Sequence, residues 1–308
     1  MKAKTVAIMC AAAVCGAAFA SEEEESTGWE YSPGEGVSFN EQPIVSGEAT
    51  LNFDSKYLSY GLVFNNDPVL KPEGSLTFFD WVEFGVEAYF DITRYGRRAG
   101  YTSRAWQCTE LYPIVSIVHK FSPDDCEWLP TTVEFAICYQ YEYIPNVRYR
   151  GGENQGDDTH YCEFKFGLPD LWFEPFLYYE RDIMRDNGTY VNFEIGHTFP
   201  IVEDGEEGAD PVLSFRPSIG QGFGNAMRVR AYLAHDGEPL DHSGLMDTMV
   251  KGELTWKVCD FCSLSGYVAY SDFLFDRKIR DASREYEATG SWDHSWNFIA
   301  GLALTLSF

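Results

Sequence analysis

The sequence predicts an all-β fold, a transmembrane up-and-down antiparallel β-barrel of about twelve strands. Segments of about ten residues alternate apolar and polar side chains along most of the chain, as membrane-spanning strands do. No run of about 18 apolar residues follows the first 20 residues, which excludes a helical membrane protein. Aromatic residues make up 16% of the chain, and Tyr and Trp suit positions that are apolar at one end and wet at the other.

Residues 1–20 have the layout of a secretory signal peptide. Two lysines precede an apolar core, and Ala18 and Ala20 form a small-residue cleavage site. The apolar core is too short to span about 30 Å of hydrocarbon. We therefore expect an exported protein whose mature chain begins near Ser21.

Residues 21–43 are predicted to form an acidic, flexible periplasmic leader, and the barrel domain is expected to cover 44–308. Four consecutive glutamates, Glu22 to Glu25, are followed by a stretch rich in Gly, Pro and Ser. Such a composition buries too little apolar surface to fold by itself.

The net charge of −25 excludes nucleic acid as a partner, because binding to phosphates needs clustered Lys and Arg. Two interpretations of this charge remain open. A lumen or rim could favour cations, or the acidic residues could keep loops and leader soluble.

The alternating pattern predicts twelve strands along the chain. Val82, Phe84 and Val86 oppose Glu83 and Glu87 in the clearest of them. Strand 110–121 is partly apolar on both faces, and the long stretch 221–247 is assigned to an outer loop although 228–233 has a strand-like pattern. The predicted strands are 50–54 with an extension toward Tyr60, 76–78, 82–91, 110–121, 133–142, 161–167, 173–182, 189–199, 211–220, 250–258, 263–271 and 296–308.

The connections between these strands alternate in length. Short turns are expected at 80–81, 168–172 and 259–262, and long loops at 94–109, 144–158, 221–248 and 272–293. With an even number of strands both ends of the barrel lie on one side, together with the short turns, as bacterial barrels place their periplasmic turns. A closed barrel also requires the last strand to pair with the first.

The last strand carries a candidate membrane-insertion signal. Trp296, Phe298, Leu306 and Phe308 share its apolar face, which we expect to contact outer-membrane lipid. A C-terminal strand that ends on an aromatic residue resembles the signal of bacterial outer-membrane barrels, which implies the barrel assembly machinery as a partner.

The polar faces of the strands define candidate lumen-lining residues. The acids repel one another unless bases or cations lie between them. Such a lumen favours an open or gated pore for small polar or cationic solutes, while the alternative is a plugged barrel filled by paired acids and bases. The candidates are Glu83, Glu87, Asp91, Glu134, Glu142, Glu163, Glu174, Glu180, Glu194, Lys165, Arg216, Lys251 and Lys257.

The loop at 94–109 holds the basic cluster of the chain. Arg94, Arg97, Arg98 and Arg104 lie among Gly and Tyr residues. At an outer surface these arginines could bind the phosphates of lipopolysaccharide through bidentate contacts. The alternative is a charge-balanced loop in solvent.

Eight cysteines are present, two of them in the signal segment. Cys259 and Cys262 flank a predicted turn and are a candidate disulfide, since export passes through an oxidising compartment. A second C-x-x-C and an adjacent His are missing, so redox or metal chemistry is not expected there. The pairing of Cys108, Cys126, Cys138 and Cys162 stays open.

A barrel hydrolase and a soluble secreted β-sandwich are the rival classes. Asp241-His242-Ser243 and Asp293-His294-Ser295 place three catalytic residue types side by side. Adjacent strand residues point to opposite faces, so His242 cannot act as a base for Ser243. The acidic stretch 201–210 lacks the spacing of a calcium loop. We expect no catalytic residues, no cofactor and no metal.

Two stretches, Asp54-Ser-Lys-Tyr-Leu-Ser-Tyr-Gly61 and Trp256-Lys-Val-Cys-Asp-Phe-Cys-Ser-Leu-Ser-Gly-Tyr-Val-Ala-Tyr-Ser271, carry a resemblance to a family. Together with the terminal aromatic residue they resemble the corresponding parts of TorF-type porins and related outer-membrane barrels. The resemblance implies a barrel in the bacterial outer membrane with a pore role and without catalytic residues. The cysteine pair and the Glu-rich leader depart from the family pattern.

Overall fold

The computed structural model describes residues 44–93, 105–124, 126, 128–145, 158–203, 211–285 and 295–308. Several predictions fall outside these residues. They concern the signal peptide, the periplasmic leader, the arginine cluster at 94–104, most of the acidic stretch 201–210, and residues 293 and 294.

The described chain contains seventeen strands and two helices. The helices are α1 (Ala226–Tyr232) and α2 (Arg277–Arg284). The strands in chain order are β1 (Val45–Asp54), β2 (Tyr57–Ser59), β3 (Leu62–Asn65), β4 (Val69–Phe78), β5 (Val82–Asp91), β6 (Gln107–Phe121), β7 (Val133–Glu142), β8 (Thr159–Gly167), β9 (Phe176–Asp182), β10 (Thr189–Gly196), β11 (Phe199–Val202), β12 (Leu213–Gly224), β13 (Ala234–His235), β14 (Glu238–Pro239), β15 (Gly244–Cys259), β16 (Cys262–Asp272) and β17 (Asn297–Ser307).

Twelve of these strands close into an antiparallel barrel. Their order around the ring is β1-β4-β5-β6-β7-β8-β9-β10-β12-β15-β16-β17, and β17 pairs with β1 to complete it. In that closing pair Thr50 lies opposite Thr305 and Asp54 opposite Gly301. The structure confirms the up-and-down barrel of twelve strands and the pairing of the last strand with the first. A two-sheet sandwich is excluded.

Alternation along the strands separates the two surfaces of the barrel wall. In β17 the outward side chains of Phe298 and Leu302 are 58% and 64% exposed, while Ile299 and Gly301 between them are buried. The same alternation exposes apolar side chains on most other strands, including Phe84, Ile117, Ile137, Phe193, Ile219, Leu254 and Val268. The barrel therefore has an apolar exterior, and the polar members of each strand face inward.

Most predicted strands have different bounds in the structure. The first strand does not extend toward Tyr60 but ends at Asp54. For two others, hydrogen bonding explains the difference. Strand 173–182 begins only at Phe176, because Pro175 has no N–H for the ladder and Glu174 lies in the preceding turn. Strand 189–199 ends at Gly196, since the Thr198 amide donates to the Glu174 carboxylate at 2.6 Å instead of to a neighbouring strand. The chain then forms β11, which pairs with the end of β12.

The stretch 221–247 is not the irregular loop that the sequence predicts. β12 continues to Gly224, α1 follows, and β15 begins at Gly244. Residues 228–233, which have a strand-like pattern, lie mostly in α1. The Asn225 side chain starts this helix by accepting a hydrogen bond from the Arg228 amide, as N-cap residues do.

The long connections form a cap over one end of the barrel, which we define as the β2–β3 hairpin, α1, the β13–β14 hairpin and α2. Their apolar side chains pack together and against the barrel wall. The hydrophobic core therefore lies beneath the cap, at one end of the barrel. Its buried members are Leu62, Tyr190, Val229, Leu233, Met246, Phe273, Ile279 and Ala282. Within the described residues, neither helix is long and apolar enough to cross a membrane.

Candidate functional site

A cavity of about 750 Å³ lies inside the barrel, beneath the cap. Its wall consists of inward side chains of five adjacent strands, β5 to β9, and its roof includes residues of the β2–β3 hairpin and of α1. Seven tyrosines line it, with three basic side chains, Lys165, Arg185 and Arg230. Its acidic side chains are Glu87, Glu110, Glu142, Glu163, Glu180 and Asp186.

Tyrosine hydroxyl groups connect the carboxylates on one side of the cavity. Tyr57 donates to Glu110 Oε2 at 2.9 Å, and Tyr161 donates to Glu142 Oε2 at 2.7 Å. Tyr112 Oη lies between the two acids, 3.0 Å from Glu110 and 3.1 Å from Glu142. Three tyrosine hydroxyl groups thus hold the carboxylates of β6 and β7 in place on one side of the cavity.

A second set of contacts holds the carboxylates of β8 and β9. Tyr178 Oη lies 2.8 Å from Glu163 Oε1 and 2.9 Å from Glu180 Oε2. Gln140 donates to Glu163 at 2.7 Å, and Tyr60 of the cap donates to Glu180 at 2.7 Å. These contacts fix the acidic wall with neutral donors, which leaves its negative charge in place.

Arg228 fastens α1 to this wall. Its side chain is 0% exposed, and its Nη2 donates to Glu180 Oε1 at 2.7 Å. The guanidinium also lies 3.6 Å from Asp186 and 4.7 Å from the centre of the Tyr60 ring. Burial, followed by the charge of Glu180, raises the pKa of Tyr60, and burial raises the pKa of Tyr232 to about 12, so both phenols stay neutral. Tyr60 donates to Glu180, whereas Tyr232 accepts from Arg185 at 2.6 Å.

A separate ion-pair group lies towards the end with short turns. Arg216 donates to Glu174 at 2.8 Å and to Glu194 at 2.7 Å. Burial opposes ionisation of Glu174, but the hydrogen bonds from Arg216 and Thr198 outweigh it and lower the pKa of this carboxyl group. This group is a tight structural clamp, and none of its members lines the cavity.

The cavity brings together five of the thirteen predicted lumen residues, Glu87, Glu142, Glu163, Glu180 and Lys165. Glu174, Glu194 and Arg216 form the clamp described above. The lumen role of all thirteen stays a prediction. The other five lie apart: Asp91 accepts from Asn65, Glu134 pairs with Lys120 at 3.0 Å, Lys251 with Glu253 at 2.8 Å, Lys257 with Asp260 at 3.3 Å, and Glu83 lies opposite Ser116 on β6.

Several residues of the cavity are missing from the sequence-based set. Glu110 lies on β6, whose register the mixed pattern left undefined, and Arg185 and Asp186 lie in a connection. Arg228 lies in the stretch assigned to an outer loop. One signal could have revealed α1, since Asn225 is a preferred N-cap and the next seven residues contain neither Gly nor Pro.

The remaining chemical candidates lie outside the cavity. Cys259 and Cys262 carry free thiols and lie opposite each other across the β15–β16 hairpin, so the disulfide stays a prediction. His242 belongs to the Asp241-His242-Ser243 segment. Its Nε2 lies 2.8 Å from Asp276 Oδ2, so this imidazole nitrogen contacts a carboxylate and not Ser243.

Among the described residues, one group of three side chains could hold a metal ion. The ligand atoms of His235, Asp236 and Glu285 lie within 4.8 Å of one another, and all three side chains are exposed. None of them lines the cavity.

The chain matches no protein-family model and no curated protein in sequence. Several solved structures resemble it. The COG4313 outer membrane channel from Pseudomonas putida F1 has a TM-score of 0.49 at 11% identity, over 91% of this chain and 100% of that one. OmpT of Vibrio cholerae has a TM-score of 0.34 at 10% identity, over 86% of this chain and 96% of that one. Omp33 of Acinetobacter baumannii has a TM-score of 0.34 at 10% identity, over 87% of this chain and 100% of that one. At such values the assignment of a closed barrel rests on the strand pairing of this chain itself.

Proposed function

We propose that this protein is a bacterial outer-membrane channel, of the TorF type that its sequence resembles, which passes small polar or cationic solutes. One observation carries the proposal. A closed ring of twelve strands has apolar side chains outside and an acid-lined cavity inside. A closed barrel leaves no unpaired edge in lipid, and its interior is the route for polar solutes.

The exterior supports a place in a bilayer. Exposed apolar side chains on nearly every strand would cost free energy in water, whereas in lipid they remain solvated. Aromatic residues cluster at the short-turn end, where Trp81 stacks on His119 with ring centres 3.9 Å apart and Trp172 lies 4.8 Å from His197. Amphipathic rings of this kind suit the headgroup region.

Outer-membrane lipid and lipopolysaccharide are accordingly the proposed surroundings of the barrel. The barrel assembly machinery is the proposed partner during insertion, because Phe298 of β17 and the flanking Trp296 and Phe308 are exposed, and Leu306 shares their apolar face by alternation. Nucleic acid is excluded from the proposal by the net charge of −25.

The interior supports cations as the preferred solutes. Six acidic and three basic side chains line the cavity, so its own charge is negative. A cleft with one sign of charge and low-dielectric walls concentrates ions of the opposite sign. We expect cations to enter more readily than anions of the same size.

A plugged barrel is the second candidate, and the cap favours it. The β2–β3 hairpin, α1 and α2 pack into one apolar cluster over the cavity, and buried Arg228 ties α1 to the wall. If the cap stays closed, the protein binds or supports structure at the surface without conducting. If α1 moves, the same elements form a gate.

Fractionation tests the location. We expect the chain in carbonate-washed outer membrane, with an apparent mass on denaturing gels that changes on heating. Recovery in the soluble periplasmic fraction would contradict the proposal.

Planar bilayers test conduction. We expect discrete steps and a reversal potential that indicates cation preference in a salt gradient. Replacing Glu87 and Glu134 together by Gln should reduce that preference, because two inward charges are lost. Asp260→Asn is the matched control, since this turn carboxylate is 97% exposed and lies outside the cavity. A folded barrel without conductance would favour the plugged candidate.

A further inference from the structure

We propose that the cavity is a binding site for an organic cation, a molecule that carries an amine or guanidinium group on a short carbon chain. This inference rests on the proposed function for its location and names the solute class of the same lumen. A volume of about 750 Å³ lies within the range of small-molecule sites. The lining determines which chemistry fits that volume.

The tyrosine faces around the cavity already accept cations of the protein. Lys165 Nζ lies 6.0 Å from the centre of the Tyr178 ring and 3.3 Å from Glu163. Arg185 lies 6.0 Å from the Tyr232 ring and 3.8 Å from Glu142. In both cases a cation lies between an aromatic face and a carboxylate, which is how proteins recognise organic ammonium ions.

The same arrangement recurs at two further positions. Lys71 lies 5.0 Å from the centre of the Tyr89 ring and 3.9 Å from Glu87, and both of these partners line the cavity. Arg228 lies 4.7 Å from the Tyr60 ring and 2.7 Å from Glu180. Four cations of the protein thus occupy Tyr–Glu positions around one cavity, and a solute cation meets the same chemistry wherever it enters.

Two cavity carboxylates lie beyond hydrogen-bond distance from their cationic partners. Asp186 lies 3.6 Å from Arg228, and Glu87 lies 3.9 Å from Lys71. By contrast, Glu194 lies 2.7 Å and Glu253 2.8 Å from their partners outside the cavity. Glu180, at 2.7 Å from Arg228, is the tight exception. A ligand cation can approach the loosely paired oxygens more closely than the protein's own cations do.

Asp186 also lines the cavity, and its side chain is 8% exposed. Its Oδ2 lies 3.6 Å from Arg228 Nη1 and accepts no hydrogen bond within the described structure. It adds a second carboxylate at the position where Arg228 lies on the Tyr60 ring.

The test measures ligand binding to the purified full barrel in detergent by calorimetry, at fixed ionic strength. Four probes share one carbon chain and differ in their end groups: n-butylamine, 1,4-diaminobutane, n-butanol and butyrate. We expect the two amines to bind and the alcohol and carboxylate to show no binding. Potassium at the same concentration should not displace the amines.

Variants connect binding to the cavity. Glu163→Gln should weaken amine binding about tenfold or more, because it removes a charge-assisted hydrogen bond. Tyr178→Leu should weaken it about three- to fivefold by removing an aromatic face, while Tyr178→Phe keeps the ring and changes affinity less than Leu does. Glu253→Gln is the matched control, an inward acid that does not line the cavity, and should leave binding unchanged.

The inference is overturned if butanol binds as well as butylamine, if potassium displaces the amines, or if Glu253→Gln and Glu163→Gln have equal effects. If Glu163→Gln does not fold, the Tyr178→Leu and Tyr178→Phe pair decides. Conductance without amine binding would support the proposed channel and contradict the proposed binding site. Amine binding without conductance would keep the site and overturn the channel.

Discussion

Phe308 and Gly47 are paired where the end of the chain meets the first strand. Gly47 N donates to Phe308 O at 2.8 Å, and Phe308 N donates to Gly47 O at 3.0 Å. The Phe308 ring covers Gly47 so closely that a Cβ at position 47 would overlap it, and Leu76 lies on the other side. A Cβ at position 47 would therefore require the Phe308 ring to move.

Gly47→Ala should destabilise the barrel by displacing the Phe308 ring. Overpacking of this kind typically costs about 1–3 kcal/mol. Gly85→Ala is the matched control, because a Cβ at that strand glycine would meet its neighbours at an ordinary 3.6 Å. Urea unfolding in detergent measures both. An unchanged midpoint for Gly47→Ala would show that the ring moves aside without cost.

Phe308→Ala should impair insertion in cells more than it impairs folding in detergent. The prediction follows from the exposed position of Phe308 at the closing seam, where assembly machinery can contact it. The readout is the amount of heat-modifiable barrel in outer membranes, compared with the refolding yield of the same variant. Ile44→Ala replaces another exposed apolar residue at the same barrel end and serves as the control. Equal losses in cells and in detergent would make Phe308 a stability residue only.

The barrel was predictable because its signal repeats in every strand. Alternation places Phe84 outward and Glu87 inward without knowledge of neighbouring strands. Chain closure then predicted that the last strand pairs with the first, and the structure places Thr50 opposite Thr305 at this seam. These inferences require only the local residue pattern and the closure of the strands into a ring.

The cap and the complete cavity were not predictable from such a pattern. Arg228 is buried because Glu180, 48 residues away, and Tyr60 of a distant hairpin converge on it. A helix of seven residues is also too short to show a helical period, so tertiary contacts stabilise it. Strand register determines which inward acids lie next to one another. Glu110 is an example, because its place in the cavity follows from the pairing of β6 with β5 and not from the local pattern.

Cys259 and Cys262 should form a disulfide when the protein matures in an oxidising compartment. They lie directly opposite each other across the two-residue turn of an antiparallel hairpin, where Cα atoms are about 4.5–5.5 Å apart, within the range of disulfides. Alkylation and mass spectrometry without reductant measure the bond. Cys162, exposed on β8, is the internal control and should be alkylated. For so short a loop we expect roughly 1–2 kcal/mol of stabilisation. Free thiols at both positions in protein isolated from membranes would contradict the prediction.

Helix α2 should loosen in acid. Asp276 caps it by accepting from the amides of Lys278 and Ile279. Burial opposes its ionisation, but the hydrogen bonds from His242 and from these amides outweigh it and lower the pKa of Asp276. A lowered folded-state pKa gives stability that is present above the unfolded value, about 3.9, and is lost as pH falls through the folded value.

Hydrogen exchange of the α2 amides, corrected for intrinsic rates, measures this effect. Protection should stay level from pH 7 to about pH 5 and fall below about pH 4. Asp276→Asn keeps a good N-cap without a titrating group, so its protection should lack this acid step. An identical acid step in both proteins would assign the loosening to other groups.

Arg228→Met should release α1 from the barrel wall and open the cavity. The change keeps an unbranched side chain but leaves Glu180 and Asp186 buried without their cation. Removing one member of a buried ion pair costs about 3–5 kcal/mol. Because the buried Arg228–Glu180 pair joins α1 to the wall, we expect the loss first as faster exchange of the α1 amides and a larger open fraction in bilayers. Arg277→Met, at an 85% exposed position on α2 outside the cavity, is the control and should change stability by less than about 0.5 kcal/mol. If Arg228→Met unfolds the whole barrel at the same denaturant concentration at which α1 exchanges, the cap and the wall are one cooperative unit, and the cap is a plug rather than a gate.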